Sequence, residues 1–346
     1  VLAMPYDVPI PGFRNGTVNT LRLWKAEATD EFDLEEFNAG SYTDAVAAKN
    51  LAEQITMVLY PNDASELGKE LRLRQQYFLA SASLQDVMDH WIKRNGHDFS
   101  GFAEGNCFQL NDTHPTVAVA ELMRLLVDEQ GLDWDTAWQI TTRSMCYTNH
   151  TLLPEALEAW SVGLISQLLP RILEIIYQIN DWFLARVEEK WPGDQERRRR
   201  MSIIDEGEHP RVRMAYLAIV GSYSVNGVAA LHTELLQRGL FRDFHELWPS
   251  RFNNKTNGVT PRRWLAHCNP RLGELISGKL GDGWVTDLDQ LEGLKAHLDD
   301  SAFADQWMAV KKHNKRALAA LVARECLVDF DANMMFDVQV KRIHEY

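Results

Sequence analysis

The sequence is short of cysteine and of basic charge, and each shortage excludes a class of protein. Its 346 residues contain four cysteines, Cys107, Cys146, Cys268 and Cys326, which lie far apart and form no CxxC pair. This spacing argues against a disulfide scaffold and a zinc ribbon, and it favours a reducing compartment. Lysine and arginine total 36 against 49 aspartate and glutamate residues, a formal charge of −13. Such a surface repels nucleic acid and anionic lipid, so we expect neither as a partner.

Long apolar segments and several familiar site motifs are also missing. The most apolar stretch, residues 162–187, is interrupted by polar and charged side chains, so no segment is predicted to span a bilayer. The chain opens VLAMPYD, with neither a basic nor an apolar segment, and we expect no signal peptide. Gly221 and Gly227 are not followed by a Lys-Ser/Thr pair, and neither GxGxxG nor HExxH occurs. These absences favour a cytoplasmic protein without a P-loop or a dinucleotide fingerprint.

What the sequence contains is typical of a globular α/β protein. Apolar residues make up 45% and charged residues 25%, and the length predicts two domains or slightly more. The turn-rich residues 252–263 are the best candidate for a domain boundary. Pro170 is predicted to begin a helix and Ser301 to cap one. Patterning predicts extended pieces over 1–40, helices over 41–59, 70–90, 164–187, 212–236 and 303–326, and strands over 107–110, 203–204 and 335–340.

Polar groups are concentrated in two short clusters. Residues 111–114, Asn-Asp-Thr-His, directly follow a predicted strand, where α/β folds place their sites. Their groups suit a polyhydroxylated ligand or a metal, and the alternative is an Asx-type turn that caps the next helix. Residues 149–151, Asn-His-Thr, present the same choice between a site loop and a polar turn. A zinc site made of His114, His150 and a carboxylate is a third interpretation, but no ligand spacing supports it.

Basic residues stand out at two places. Arg197–Arg200 lies among acidic residues and is predicted to be a solvated, partly neutralised helix face. Lys341 and Arg342 directly follow the predicted strand 335–340, and two fixed cations at a strand end would hold a dianion such as phosphate. The alternative for this pair is simple exposure beyond the strand.

Nine segments together form a pattern more specific than any single motif. They are MPYDVPIPG, NTLRLW, LYPND, GKELRLRQQYF, QLNDTHP, YTNHTLLPEALE, SVNGVA, NKTNGVTPRRWL and DVQVKRIHEY. In this order, from residue 1 to residue 346, they resemble the α-glucan (glycogen, starch, maltodextrin) phosphorylases, with the nearest likeness to the bacterial glycogen enzymes.

The resemblance implies a fold and a reaction. Members have two α/β domains across a deep cleft, the GT-B arrangement of glycosyltransferases. They cleave α-1,4-glucan ends with inorganic phosphate and release α-glucose 1-phosphate with retention of configuration. Pyridoxal 5′-phosphate serves through its phosphate, which exchanges a proton with the substrate phosphate. Residues 1–257 would be the later part of the N-terminal domain and residues 258–346 the start of the C-terminal one.

The resemblance also assigns residues to the sugar. His150 would bind a sugar hydroxyl through its imidazole, while its backbone carbonyl would lie against the developing oxocarbenium charge, which is electrostatic catalysis. Asp112 and His114 would shape the pocket beside it. Asn226 and Val228 match the loop that contacts the glucose.

A second set of residues is assigned to the phosphates and the cofactor. Lys341 and Arg342 would bind the cofactor and substrate phosphates and so take part in catalysis. Trp264 would line the cofactor pocket, and Asn257 would contribute to that pocket and also hydrogen-bond the sugar. Tyr346 would contact a sugar hydroxyl.

Departures from the family pattern indicate a central fragment. The motif of the Schiff-base lysine, the glycine-rich phosphate loop and the portion preceding Val1 are absent, so we expect this chain alone neither to hold pyridoxal phosphate covalently nor to turn over. Ala64 replaces an amide of the gating loop, and acidic Asp89 argues against the AMP switch of animal members. The predicted helix 41–59 resembles the family's dimer helix and implies a homodimer of the complete enzyme; the alternative is an ordinary surface helix.

Two other functions remain as alternatives to a phosphorylase. One is a non-catalytic glucan-binding fragment, and the other is a metal-dependent glucan hydrolase that uses His114 and His150. Phosphate-dependent release of glucose 1-phosphate would distinguish the phosphorylase from both.

Overall fold

The computed structural model describes residues 1–29 and 32–340. The chain divides into two compact units, Val1–Thr256 and Asn257–Tyr346. The boundary predicted from the sequence lies one residue later. No helix of the described ranges combines the length and the apolar character that crossing a bilayer requires.

Nine strands occur in the described residues, all in the first unit. They are β1 (Leu2–Pro11), β2 (Val18–Glu27), β3 (Phe108–Asn111), β4 (Met145–Thr148), β5 (Ala159–Ser161), β6 (Ile204–Asp205), β7 (Arg211–Arg213), β8 (Ser224–Gly227) and β9 (Phe252–Asn254).

Helices make up most of the remaining regular structure. The α-helices are α1 (Leu34–Asn38), α2 (Ala47–Met57), α3 (Glu66–Asn95), α4 (Phe102–Gly105), α5 (Val117–Arg124), α6 (Trp134–Ser144), α7 (Val162–Leu168), α8 (Pro170–Lys190), α9 (Gln195–Met201), α10 (Met214–Gly221), α11 (Ala230–Leu235), α12 (Arg242–Leu247), α13 (Pro270–Leu280) and α14 (Ser301–Cys326). Shorter 3₁₀ and π-helical turns cover Asp44–Val46, Leu125–Glu129, Pro154–Ala156, Leu236–Leu240, Pro249–Arg251, Arg262–His267, Gly283–Val285 and Leu288–His297.

A four-stranded parallel sheet is the centre of the first unit. Its order is β3-β4-β8-β9, and every neighbouring pair is parallel. The predicted α/β class is therefore confirmed. Because the strands are parallel, their carboxyl ends meet at one edge of the sheet. An antiparallel hairpin, β1-β2, and a three-stranded antiparallel sheet, β5-β7-β6, complete the strands of this unit.

Apolar helices cover the sheet and fix it in place. Helix α5 packs against α3, α6, α8 and α10. Val119 and Leu122 of α5 and Leu217 of α10 are fully buried. A Cβ at Gly221 would lie 2.5 Å from Cγ1 of Val119, so α10 approaches α5 at a distance that only glycine allows.

Most predicted helices are confirmed with shifted ends. The predicted helix 41–59 is a turn at Asp44–Val46 followed by α2, and the predicted helix 70–90 is part of α3. Pro170 is the first residue of α8, as predicted. The basic run of α9 is also neutralised as predicted, since Arg197 pairs with Glu246 at 2.6 Å and Arg200 with Asp243 at 3.1 Å.

The predicted helix over 212–236 is wrong. This segment holds the end of β7, then α10, β8 and α11. Strand β8 lies between β4 and β9, and both of its faces are covered, since the consecutive residues Val225 and Asn226 are both buried. A strand covered on both faces lacks the alternation of apolar and polar residues that distinguishes it from a helix.

Two predictions in the second unit are also wrong. Asp300, not Ser301, caps α14, because its carboxylate accepts the backbone N–H of Phe303 at 3.0 Å. Residues 335–340 form no strand, and Met335 and Val340 are 93% and 91% exposed. A strand requires a neighbour to bond its backbone, and the described residues of this unit form helices and turns only.

Candidate active site

Loops leave all four strands at the carboxyl edge of the parallel sheet, and those after β3, β4 and β9 are polar. Strands β3, β4, β8 and β9 end at Asn111, Thr148, Gly227 and Asn254. Both polar clusters predicted from the sequence, 111–114 and 149–151, begin at or next to these ends. The edge of an open parallel sheet is where α/β proteins bind ligands.

The first link across this edge joins His150 to Asn111. Nε2 of His150 lies 2.5 Å from Oδ1 of Asn111, and the backbone N–H of Asp112 donates to the carbonyl of Thr148 at 3.0 Å. An amide oxygen only accepts, so the ring donates from Nε2. His150 is exposed, and its Nδ1 is left as an acceptor for a hydroxyl donor.

The second link joins β4 to β8 through Asn226. Thr148 Oγ1 donates to Oδ1 of Asn226 at 2.8 Å, and Gln109 Nε2 donates to Thr148 Oγ1 at the same distance. The backbone N–H of Asn149 donates to the Asn226 carbonyl at 3.0 Å. Asn226 is buried, so its amide is held rigidly beneath the loop that carries His150.

Asn149 is fully buried and organises that loop from below. Its Oδ1 accepts the backbone N–H of Thr151 at 3.0 Å, and its Nδ2 donates to the Tyr147 hydroxyl at 3.1 Å. Burial raises the pKa of Tyr147, which keeps that hydroxyl neutral. Asn149 lay inside a predicted polar cluster, but its role was missed, since no sequence signal separates a buried amide from an exposed one.

Asp112 adopts a strained backbone directly after β3. Its φ is 65°, in the left-handed region that aspartate tolerates better than most residues, and its carboxylate accepts the backbone N–H of Thr113 at 2.7 Å. This bond joins adjacent residues and caps no helix, since α5 follows Thr116 without a side-chain cap. The helix-capping turn that the sequence offered as an alternative is therefore not formed by Asp112, which lies at the same edge as His150.

His114 belongs to a neighbouring group and does not meet His150. Its Nδ1 lies 3.4 Å from the hydroxyl of Tyr60, and the two rings meet edge to face with centroids 5.5 Å apart. Tyr60 has a φ of 54°, and the guanidinium of Arg72 lies 5.7 Å from its ring centre. Within residues 1–29 and 32–340, no three metal-ligating side chains converge. The zinc interpretation therefore lacks its ligand set there.

Val228 lies just beyond β8 and is tied to a residue that the sequence analysis missed. Its backbone N–H donates to Nδ1 of His232 at 3.2 Å. His232 stands near His150, and burial and then repulsion from a protonated His150 lower the pKa of His232. The contact spans one turn between residues four apart, and nothing in the sequence marks this histidine as part of the site.

The residues predicted for phosphate and cofactor are not assembled by the described part of the chain. Asn257 and Trp264 belong to the second unit, and both are exposed, Trp264 to 62%. Lys341, Arg342 and Tyr346 lie outside the described residues. The predicted pocket for pyridoxal phosphate therefore stays a prediction.

Comparison with known proteins decides the family. The family model for carbohydrate phosphorylases matches residues 1–346. The chain belongs to the carbohydrate phosphorylase family. It is 52% identical over 356 residues to the muscle form of glycogen phosphorylase from Oryctolagus cuniculus and 53% identical over 353 residues to that from Mus musculus. It is also 50% identical over 347 residues to glycogen phosphorylase 2 of Dictyostelium discoideum.

These alignments cover all of this chain but only part of each relative. The chain spans 42% of the length of the two muscle phosphorylases and 35% of the Dictyostelium protein. The resemblance predicted from the nine segments is confirmed at the level of the family.

Proposed function

We propose that the complete protein containing this chain is an α-glucan phosphorylase. It would cleave terminal α-1,4 bonds of glycogen or maltodextrin with inorganic phosphate and release α-glucose 1-phosphate with retention. The observation that carries the proposal is the group formed by Asn111, His150 and Asn226 at one sheet edge, in a chain of this family. The 346-residue chain alone would be inactive.

The described groups suit a sugar because they offer directed hydrogen bonds without a concentrated charge. With its proton on Nε2, His150 would accept a sugar O–H at Nδ1. Its backbone carbonyl would lie against the positive charge that develops as the glycosidic bond breaks. Asp112 and His114 would shape the wall beside it, and Asn226 and Val228 would contact the glucosyl unit.

The phosphate half of the reaction would use the second unit. In the complete enzyme, Lys341 and Arg342 would hold the two phosphates, Asn257 and Trp264 would line the cofactor pocket, and Tyr346 would bond a sugar hydroxyl. Pyridoxal phosphate would supply a phosphate that exchanges a proton with the substrate phosphate. Two neighbouring cations would offset the repulsion between those anions.

The wider assembly follows from the same proposal. The complete enzyme would have the GT-B arrangement, be cytoplasmic and form a homodimer through α2. Helix α2 exposes Leu51 and Met57 at 52% and 68%, and a partner subunit would cover such side chains.

Release of glucose 1-phosphate from maltodextrin tests the proposal. The complete protein, supplied with pyridoxal phosphate, should release it only when inorganic phosphate is present. His150→Ala should remove most of the activity, while Gln139→Ala on the exposed face of α6 should not. Glucan binding without release would favour the non-catalytic alternative. Chelator-sensitive release of free glucose without phosphate would favour the hydrolase.

A further inference from the structure

The turn between β8 and α11 is held unusually close to the helix that follows it. The carbonyl of Gly227 accepts the backbone N–H of Lys255 at 3.1 Å and Nδ2 of Asn226 at 2.9 Å. A Cβ at residue 227 would stand 2.7 Å from Nδ1 of His232 and 2.5 Å from Oγ1 of Thr233. The main chain therefore approaches these side chains as closely as a glycine permits.

His232 uses this closeness for a contact with the Val228 backbone. Its Nδ1 accepts the N–H of Val228 at 3.2 Å, and a ring nitrogen that accepts carries no proton. The neutral ring then has its proton on Nε2, which is buried and makes no hydrogen bond of normal geometry with any described residue. The acceptor of His232 is therefore directed at the Val228 backbone.

The surroundings of His232 favour the neutral ring that this contact needs. Burial and then repulsion from a protonated His150 lower the pKa of His232, while a weaker hydrogen bond to the Thr151 backbone raises it. A protonated ring would lose the Nδ1 lone pair and with it the bond to Val228.

We propose that His232 is a positioning residue for the sugar pocket. It fixes the main chain of Val228 beside His150 and acts through that residue without touching the substrate. This inference rests on the proposed function, in which Val228 contacts the glucosyl unit. If the His232 ring only filled space beneath the turn, its volume would matter but an acceptor at Nδ1 would not. The two roles can therefore be distinguished by experiment.

Three substitutions at position 232 distinguish a side chain that accepts a hydrogen bond from one that only fills space. His232→Asn keeps an amide oxygen near the position of Nδ1, one bond beyond Cγ. His232→Gln moves the amide outward, toward the position of Nε2. His232→Leu keeps apolar bulk and removes the acceptor. If His232 positions Val228, asparagine should preserve its function, whereas glutamine and leucine should not.

The first measurement is hydrogen exchange of the Val228 amide in the complete protein, without substrate. In His232→Leu and His232→Gln, this amide should exchange at least about tenfold faster than in the wild type, because its hydrogen bond is lost. In His232→Asn it should remain protected. The amide of Leu110 in β3 serves as the control and should not change in any variant. Retained protection in His232→Leu, or lost protection in all three variants, overturns the proposal.

The second measurement is phosphorolysis by the same proteins. The value of kcat/KM should fall about tenfold or more in His232→Leu and His232→Gln and recover in His232→Asn, since a small displacement beside the reacting group slows the reaction. Unchanged kcat/KM with an exposed Val228 amide overturns the positioning role. A wild type that releases no glucose 1-phosphate contradicts the proposed function instead, and exchange still decides whether His232 fixes Val228.

Discussion

Nε2 of His150 lies 2.5 Å from Oδ1 of Asn111, and this hydrogen bond joins the loop after β4 to the end of β3. Because the amide oxygen can only accept, Asn111 selects the tautomer of His150 and leaves Nδ1 to accept from a ligand. The chemistry of His150 is therefore set by a residue on the neighbouring strand. The roles inferred from the family likeness did not include Asn111.

Removing the Asn111 amide should impair catalysis more than folding. In the complete protein, we expect Asn111→Leu to lower kcat/KM for phosphorolysis by about 10- to 100-fold, because the His150 ring loses both its tautomer and its orientation. Gln139→Leu, on the exposed face of α6, is the matched control and should stay near the wild-type value. Wild-type kinetics in Asn111→Leu would show that the bond does not orient His150.

Replacing Gly227 or Gly163 with alanine should change the stability of the fold in opposite directions. At Gly227 a Cβ would overlap His232 and Thr233, so Gly227→Ala should destabilise the fold by about 1–3 kcal/mol. At Gly163, in the first turn of α7, a Cβ would meet nothing within 4 Å, and alanine should stabilise by up to about 1 kcal/mol. Urea unfolding of both variants measures the difference. Equal effects would contradict the close approach at Gly227.

Arg251 should be hard to replace, although it lies outside the site. Its guanidinium donates to the carbonyls of Ile219, Val220 and Ser222 at 3.0–3.2 Å and stacks on Trp248 at 3.8 Å. It thus satisfies the carboxyl end of α10 just before β8. Burial lowers the pKa of Arg251 to about 10, so it stays charged at neutral pH.

Breaking this cap should cost stability. We expect Arg251→Met to lower the free energy of unfolding by about 2–3 kcal/mol, because three buried carbonyls lose a charged donor. All three carbonyls are bound by Nη1 alone, which an ammonium can imitate, whereas the stacking of the planar group on Trp248 would be lost, so Arg251→Lys should recover only part of the loss. Arg199→Met is the control, because that side chain is 80% exposed, and it should change stability by less than about 0.5 kcal/mol.

The sequence predicted those parts of the fold whose signals are local. Pro170 marked the start of α8 because a proline suits the first turn, and the polar residues after 107–110 marked the end of β3. Strand β8 was missed because its burial depends on β4 and β9, which lie elsewhere in the chain. Residues 335–340 have strand-like composition, but composition supplies no pairing partner.

The candidate site was predicted only in part. Asp112, His150, Asn226 and Val228 lie at or just beyond the ends of β3, β4 and β8, and their assignment to a sugar pocket stays a prediction. Their supporting partners, Asn111, Asn149 and His232, were not assigned roles, because support depends on distances across strands that a sequence does not display. His114 stood beside Asp112 in the sequence, but it contacts Tyr60.

Acid should destabilise the chain partly through His232. Its pKa in the folded protein is below the ordinary value of 6.5. At a pH between the folded pKa and 6.5, the unfolded chain therefore binds a proton at this residue more readily than the folded chain does. Stability from this residue is complete above about pH 6.5 and is lost as the pH falls toward the folded value. The free energy of unfolding, measured in urea, should fall less between pH 7.5 and pH 5.5 in His232→Asn than in the wild type. Identical drops would contradict the lowered pKa.

Cys107 and Cys146 should stay reduced although their Sγ atoms lie 3.6 Å apart. Cys146 pairs in register with Gln109, so Cys107 is offset by two residues on the neighbouring strand. Strand spacing and rise then place their Cα atoms about 8 Å apart, beyond the span of an unstrained disulfide. Burial raises the pKa of Cys146 to about 11, whereas Cys107 is exposed.

Thiol chemistry can test this geometry directly. Iodoacetamide should label Cys107 well before Cys146, because the thiolate is the reactive form and the buried thiol rarely reaches it. Glutathione disulfide should produce a mixed disulfide at Cys107 without closing a bridge. Peptide mass spectrometry distinguishes the two products, since a bridge removes two hydrogens and links the peptides of β3 and β4. Finding that link would mean that the two strands slide past each other more easily than their register and their covering helices imply.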